Sequence, residues 1–218
     1  FTSQNQYLNC KYINNTQVFE VGRESYGTAE VRSEANAVFK NCEFIENKTF
    51  SGAGIFIKIH SNAFIENCYF KDNEAGTVIT VLNSDFTLVN STMEGTQYPY
   101  QVNYIQIGHN KNFPYKKGSI GIIDGCSFKN NDGYIQIVDK IDDVTSISNS
   151  LFFGNGRALL RDGEGTTYIT NATITKNHTW EHSGGLKTYG GKLHVRNSIV
   201  YGNTADYCCS PEFSSPGV

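Results

Sequence analysis

The chain has 218 residues, 39% of them hydrophobic, and its 18 basic and 21 acidic residues give a formal net charge of −3 at pH 7. This near balance carries no signature of polyanion binding, so we expect no nucleic acid partner. No apolar run is long enough to cross a membrane, and no secretion signal is visible. The length suits one elongated domain, predicted over residues 1–207, with residues 208–218 as a Cys-containing tail or the start of a further coil.

A seven-residue pattern, Asn-small-x-apolar-x-x-Asn, recurs along the whole chain at intervals of 22 to 35 residues. It is clearest over residues 41–47 and 67–73. The copies begin at Asn9, Asn41, Asn67, Asn90, Gly125, Asn149, Asn171 and Asn197. Self-similarity at such a spacing indicates a repeat architecture in which successive units stack on one another.

Apolar and polar residues alternate on both sides of the first residue of each copy, which is the pattern of a strand with one buried face. The alternation changes phase at that first residue. We therefore predict a one-residue bend there, near the left-handed α conformation that Asn tolerates well. A further apolar segment follows in several copies. The predicted third strands are Val18–Val21, Ile55–Ile57, Val78–Val81, Tyr104–Ile107 and Tyr134–Ile137.

Three strands per repeat predict an all-β parallel β-helix, a solenoid of about seven to eight coils with Asn ladders at its corners. The first Asn column is predicted to form a structural ladder by hydrogen bonding along the rod. Its members are Asn41, Asn67, Asn90, Asn149, Asn171 and Asn197. A second column is expected to close the next corner: Asn15, Asn47, Asn73, Asn131, Asn155, Asn177 and Asn203.

The pattern resembles the right-handed β-helix repeats of polymorphic outer-membrane proteins and related secreted cell-surface proteins, with a pectate-lyase-like fold. That family carries repeated Phe-x-x-Asn and Gly-Gly-Ala-Ile-like motifs. Residues 44–47, 70–73, 128–131 and 152–155 match the first motif, and residues 52–55 and 184–186 approximate the second. The resemblance covers nearly the whole chain and implies a right-handed coil.

Because many right-handed β-helices are polysaccharide lyases, hydrolases or epimerases, the resemblance also raises an enzymatic interpretation. Lyases of this class use calcium held by acidic residues, and hydrolases need two carboxylates at a defined separation. Asp142, Asp143, Asp162 and Glu164 are expected at the same corner of consecutive coils and are the candidates for a calcium site. The motif set of pectin hydrolases is absent. We therefore predict no catalytic residue and no cofactor, with calcium as the alternative.

Corner insertions are where such a rod is expected to carry function. The long repeats place insertions at residues 22–33, 97–102 and 108–118, and residues 177–183 are a fourth candidate. Tyr98, Tyr100, Tyr115 and Trp180 lie in or beside these segments. We predict them as ligand- or partner-binding residues, because aromatic rings anchor protein partners and stack on sugars. Alternatively, these aromatic rings only cover surface beside the corners of the rod.

The small inward position after the bend holds Cys10, Cys42, Cys68 and Cys126 in four copies, where Ser or Ala stands in the others. We expect these cysteines to be core residues, with a Cys42–Cys68 bridge as the alternative. Cys208 and Cys209 fall past the last repeat, and at least one is expected to pair outside the core. Among the glycosylation sequons, the predicted acceptors are Asn14, Asn47 and Asn177.

The sequence favours an extracellular or cell-surface glycoprotein with a structural or adhesive role, such as a spacer or filament subunit. We expect a piece of a longer secreted protein that contacts other chains or further domains through open β-helix ends and corner loops. The alternative is a β-helix that binds or cleaves polysaccharide, for which carbohydrate would be the partner.

Overall fold

The computed structural model describes residues 4–16, 27–49, 53–97, 103–108, 118–181, 183–207 and 213–214. These residues form 28 strands and no α-helix. In chain order the strands are β1 Gln4–Leu8, β2 Lys11–Ile13, β3 Ala29–Val31, β4 Asn36–Lys40, β5 Glu43–Ile45, β6 Lys48–Thr49, β7 Ile55–Lys58, β8 Asn62–Glu66, β9 Tyr69–Lys71, β10 Glu74–Ala75, β11 Thr77–Leu82, β12 Asp85–Val89, β13 Thr92–Glu94, β14 Asn103–Gly108, β15 Ile120–Asp124, β16 Ser127–Lys129, β17 Tyr134–Val138, β18 Val144–Ser148, β19 Leu151–Phe153, β20 Leu159–Arg161, β21 Thr166–Thr170, β22 Thr173–Thr175, β23 His178–Glu181, β24 Leu186–Thr188, β25 Lys192–Arg196, β26 Ile199–Tyr201, β27 Thr204–Tyr207 and β28 Phe213–Ser214.

Three parallel sheets of eight strands each wrap around one core. The first sheet has the order β1-β4-β8-β12-β15-β18-β21-β25, and the second has the order β2-β5-β9-β13-β16-β19-β22-β26. The third runs β3-β7-β11-β14-β17-β20-β24-β28, and two short ladders, β6-β10 and β23-β27, line the corner between the second and third sheets. Each rung of the rod contributes one strand to each large sheet, which is the parallel β-helix predicted from the sequence.

The rod has about six turns, slightly fewer than the seven to eight predicted. The rungs at the two ends are less enclosed than those between them. Of the eight strands stacked in each large sheet, the first and last have a neighbour on one side only. The inward residues of these end rungs, including Tyr12 and Val200, are only partly buried.

The first Asn column bends the chain as predicted. Each of its asparagines has a positive φ, from 47° at Asn197 to 55° at Asn9 and Asn171, and Gly125 substitutes with a φ of 63°. The bend lets the residues two before and one after the Asn both point into the core. This left-handed conformation is confirmed at every copy of the repeat.

The second Asn column is buried and hydrogen-bonded along the rod. The amide nitrogen of Asn155 donates to Asn177 Oδ1 at 2.9 Å and to the Phe128 carbonyl at 3.1 Å. Its Oδ1 accepts from the backbone and side-chain nitrogens of Asn131. The left-handed bend at this corner falls one residue earlier, at positions such as Glu46 and Asp72. The column therefore closes the corner with buried hydrogen bonds.

Stacked aromatic rings fill the core beneath the second sheet. The rings of Phe44 and Phe70 lie 4.8 Å apart, and those of Phe128 and Phe152 lie 4.9 Å apart, each pair nearly parallel. In-register stacking of identical side chains follows from one rung lying directly on the next. The apolar residue three places after each bend therefore forms the continuous centre of the rod.

The four inward cysteines are free thiols, as the core interpretation predicted. Burial raises the pKa of the Cys68 thiol to about 12 and that of Cys126 to about 11. Cys42 is buried too, and its thiol donates to the Tyr7 carbonyl at 3.2 Å. The thiols thus serve as small apolar groups packed beside the bend.

The third strand of the first rung differs from the prediction. Residues 18–21, predicted as that strand, lie outside the described residues, whereas Ala29–Val31 pairs with β7. Part of the predicted insertion at residues 22–33 is therefore strand, because Ala29 and Val31 continue the inward columns of the sheet. The third strands predicted at residues 55–57, 78–81, 104–107 and 134–137 are confirmed.

Candidate functional site

A cleft of about 380 Å³ opens at the corner between the third and first sheets. The turns that follow β17, β20 and β24 in consecutive rungs form it. Its walls are Val138, Asp139, Lys140, Asp162, Gly163, Glu164, Tyr189 and Gly190. The corner therefore brings together two of the acids predicted from the sequence with a buried ion pair, a lysine and an aromatic ring.

The floor of the corner is held by Arg161, which points into the core and is 0% exposed. It occupies an inward position that Ile137 fills in the preceding rung. Its guanidinium pairs with Asp139 at 2.9 Å and donates to the carbonyls of Gly163, Gly165 and Gly190. A buried charge with its donors satisfied in this way fixes the turn geometry.

Two carboxylates of this corner are committed to backbone and ion-pair contacts. Burial raises the pKa of Asp139, opposed by Arg161 and by the Gly165 N–H that donates to it at 3.0 Å. Asp143 accepts from the backbone nitrogens of Ser119 and Lys140, each at 2.8 Å. Both side chains are nearly buried, so they stabilise the turn rather than face a ligand.

The rim of the cleft is open to solvent. Asp162, Glu164 and Lys140 are exposed, and about half of Tyr189 is exposed. These groups can accept and donate hydrogen bonds beside an aromatic surface. Asp142 is exposed on the neighbouring turn. Within the described ranges, no group of three or more His, Cys, Asp or Glu side chains is arranged to hold a metal ion.

A second candidate surface lies on the outer face of the first sheet. We call Ile120, Ile122, Val144 and Tyr168 the first-sheet patch; each of them is 38 to 49% exposed. Ile120 lies opposite Val144, and Ser146 separates Ile122 from Tyr168 in one row across the strands. The patch therefore spans three consecutive rungs of the outer face of the first sheet.

The predicted aromatic residues do not form one site in the described structure. Tyr98, Tyr100 and Tyr115 lie outside the described residues. Trp180 is on β23 and is 66% exposed. On the same face, His178 Nδ1 lies 2.8 Å from Thr204 Oγ1, and its Nε2 lies 3.5 Å from Asp206. Trp180 is thus an exposed surface ring beside the polar side chains of His178, Thr204 and Asp206.

The three predicted glycosylation acceptors differ in their surroundings. Asn14 is exposed on the surface, at the start of a corner. Asn47 and Asn177 are 0% exposed, and their amide nitrogens donate to Asn73 and Asn203 along the second column. A glycan on either nitrogen would break the column, so these two positions are closed to modification in the folded chain.

Sequence reasoning missed Arg161, Tyr189 and Lys187. Arg161 and Lys187 occupy strand positions where the repeat gives no reason to expect a buried charge. Tyr189 follows a short strand whose register was not predicted. The sequence does carry one signal for this corner, a pair of Gly-rich turns at residues 162–165 and 190–191, about one repeat apart.

A family model described as a right handed beta helix region matches residues 2–204. The chain therefore belongs to the right-handed β-helix family, which confirms the predicted fold class. Comparison with curated proteins and with solved structures gives no significant match. No helix within the described part of the chain is long and apolar enough to cross a membrane.

Proposed function

We propose that this chain is an extracellular or cell-surface scaffold of the outer-membrane-protein type, with a structural or adhesive role. It binds other protein chains through the first-sheet patch. The observation that carries the proposal is the row of exposed apolar side chains, Ile120, Ile122, Val144 and Tyr168, on consecutive rungs. Contiguous exposed apolar surface on a soluble fold is characteristic of protein interaction sites.

The patch has the composition of an interface centre with a polar rim. Tyr168 stacks on His194 with ring centroids 5.0 Å apart, so its ring is held in place on the next rung. Asp85, Asp124, Lys192 and Arg196 occupy the edges of the same sheet face. Aromatic and aliphatic anchors surrounded by charges are the usual arrangement at protein interfaces.

The rod is suited to hold such a surface rigid. Its inner strands are fixed by parallel pairing on both sides, and the buried Asn column joins successive rungs at one corner, with a gap at Thr96. A rigid surface loses little conformational entropy on binding. This supports an adhesive or assembly role in which the spacing of contacts matters.

The test uses the full protein in its native source, with a photo-crosslinking residue in place of Ile122. We expect crosslinks to a discrete protein, which is then purified. Ile122→Asp and Tyr168→Asp should each weaken its binding by about tenfold or more, since each removes an apolar anchor. Thr175→Asp, on the outer face of the second sheet, is the matched control and should bind normally. Binding that is unaffected by both patch variants would overturn the proposal.

Polysaccharide binding is the second candidate, and the corner cleft favours it. Tyr189 offers a ring surface, and Asp162 and Glu164 offer acceptors for sugar hydroxyls. Saturable binding in a glycan screen that is lost in Tyr189→Ala would support this role. Cleavage would additionally require Asp162 or Glu164, because Asp139 and Asp143 are already hydrogen-bonded.

A further inference from the structure

The first-sheet patch lies between charges of opposite sign on the same sheet face. At one end, β12 carries Asp85, next to the buried Phe86, and β15 carries Asp124. At the other end, β25 carries Lys192 and Arg196, which pair in register with residues of β21. Over the five strands from β12 to β25, the outer face is therefore acidic first, apolar in the middle and basic last.

A surface with this order of charges is complementary to itself when it is turned end over end. Sheets that pack face to face keep their strands nearly aligned, and two copies of one chain associate most often about a two-fold axis. An axis that runs along β18, between the two sheets, makes the rods antiparallel. It places β12 of one copy against β25 of the other, β15 against β21, and β18 against its own copy.

The antiparallel arrangement matches the side chains as well as the strands. Ile122 and Tyr168 occupy one row of the sheet, on either side of Ser146. Ile122 of one copy therefore faces Tyr168 of the other, and the small Ser146 lies at the axis. Asp85 and Lys192 share another row, two strands on either side of β18. These two opposite charges also face each other across the interface.

The Asp85 carboxylate is able to take part in such an ion pair. One of its oxygens accepts a hydrogen bond from the Ile120 N–H at 2.8 Å, and an ionised carboxylate offers about four acceptor sites in all. Lys192 is exposed, and its long side chain carries a compact charge on a flexible stem. The two-fold axis forms the pair twice, once at each end of the interface.

The other two-fold arrangement, with the axis along the rod, is unfavourable. Each strand would then face its own copy with its two ends exchanged. Lys192 would meet Arg196 of the second copy, and Ile120 would meet Asp124. Like charges, and a charge placed against an apolar anchor, both oppose association. The charges of this face therefore favour the antiparallel pair.

We propose that the partner at the first-sheet patch is a second copy of this chain, packed with its rod antiparallel. This inference rests on the proposed function, because it uses the same patch and names what binds there. Only five strands of each copy take part, which predicts a weak dimer whose population depends on the protein concentration.

The test is sedimentation equilibrium of the purified full chain over a range of concentrations, in which the wild type should show a monomer–dimer equilibrium. Lys192→Asp and Asp85→Lys should each weaken the dimer by at least about tenfold, because each creates two pairs of like charges. An equimolar mixture of these two variants should dimerise like the wild type, since each supplies the charge that the other lacks. Lys129→Asp, the same change on the outer face of the second sheet, is the control and should dimerise normally.

The mixture decides the outcome, because recovery of the dimer excludes misfolding as the cause of the loss. A chain that stays monomeric, or a mixture that does not recover, overturns the inference. A Lys192→Asp dimer stronger than the wild type also overturns it and indicates the parallel arrangement. A monomeric chain that still crosslinks through position 122 to a different protein refutes the second copy and leaves the proposed function standing. Absence of any crosslink contradicts the proposed function itself.

Discussion

The two Asn columns use the same side chain in opposite surroundings. In the first column the backbone has positive φ, and the exposed side chains form part of the predicted ladder, as where Asn41 donates to Asn9 at 3.1 Å and Asn171 donates to Asn149 at 3.2 Å. In the second column the side chains are 0 to 2% exposed, apart from the exposed Asn15, and the amides join one rung to the next. The comparison shows that a repeated residue type can have two separate physical causes within one repeat.

The largest expected effect is the removal of a buried column amide. Asn155→Ala eliminates four side-chain hydrogen bonds, two to Asn131, one to Asn177 and one to the Phe128 carbonyl. Each buried group left unpaired costs about 1–3 kcal/mol, so we expect the free energy of unfolding to fall by at least about 3 kcal/mol. Urea unfolding followed by circular dichroism measures this.

Asn149 is the matched position in the first column. Asn149→Ala forces a φ of 49° on an alanine and should lose only about 1–2 kcal/mol. Asn149→Gly adopts this conformation freely and should be more stable than Asn149→Ala, because both variants lose the exposed hydrogen bonds to Asp124 and Asn171 and only alanine adds backbone strain. If Asn149→Ala destabilises the chain as much as Asn155→Ala, the distinction between the columns is wrong.

A smaller effect should appear at alkaline pH. It concerns the inward cysteine thiols, which directly follow the bend residue in four copies of the repeat. Folding raises the pKa of Cys126 from 9.0 to about 11, so the folded chain keeps a proton that the unfolded chain releases. The stabilisation is complete below pH 9 and is lost as the pH rises towards 11. By linkage, this thiol should reduce the free energy of unfolding by about 1.4 kcal/mol at pH 10.

Cys126→Ser provides the control, because Ser150 fills the same position one rung later. The measurement is urea unfolding at pH 8 and pH 10 for both chains. The wild type should lose about 1.4 kcal/mol more than the variant between these two pH values. Equal losses would mean that the Cys126 thiol does not titrate differently on folding.

The smallest effect concerns the single gap in the second column. Thr96 occupies an Asn position, and its buried hydroxyl has no hydrogen-bond partner among the residues that the structure describes. In Thr96→Asn the new amide can donate to Asn131 Oδ1 and to the Phe70 carbonyl, by analogy with its neighbours. We expect the free energy of unfolding, measured by urea denaturation, to increase by about 1 kcal/mol. Thr96→Val, which only removes the hydroxyl, is the control. If Thr96→Asn is no more stable than Thr96→Val, the proposed hydrogen bonds do not form.

Much of the fold was predictable because its determinants are periodic. The bend at each first-column Asn, the large apolar residue three places later and the third strands between residues 55 and 137 all recur in register. The first rung was harder to predict, since its third strand, Ala29–Val31, follows a longer interval than the others. Local pattern alone did not reveal how far the chain travels before rejoining the sheet.

The candidate sites were much less predictable than the fold. Asp162 and Glu164 were expected at one corner with Asp142 and Asp143, and they do lie on neighbouring turns. The role of Asp143, however, depends on the backbone nitrogens of Ser119 and Lys140, which no spacing indicates. Arg161 is buried at a strand position that Ile137 fills in the preceding rung, and no spacing indicates a charge there. Burial of a charge depends on three-dimensional neighbours, which the repeat does not encode.

The parallel stacking has a mechanical consequence. Every ladder hydrogen bond between large-sheet strands runs along the rod and joins one turn to the next. Tension applied to the two ends along this axis therefore loads one rung at a time instead of shearing many together. A turn of 24 residues, such as that from Cys126 to Ser150, releases about 80 Å of chain when it opens, at roughly 3.5 Å per residue. Under load, the rod should lengthen in a series of similar steps, each of which absorbs work.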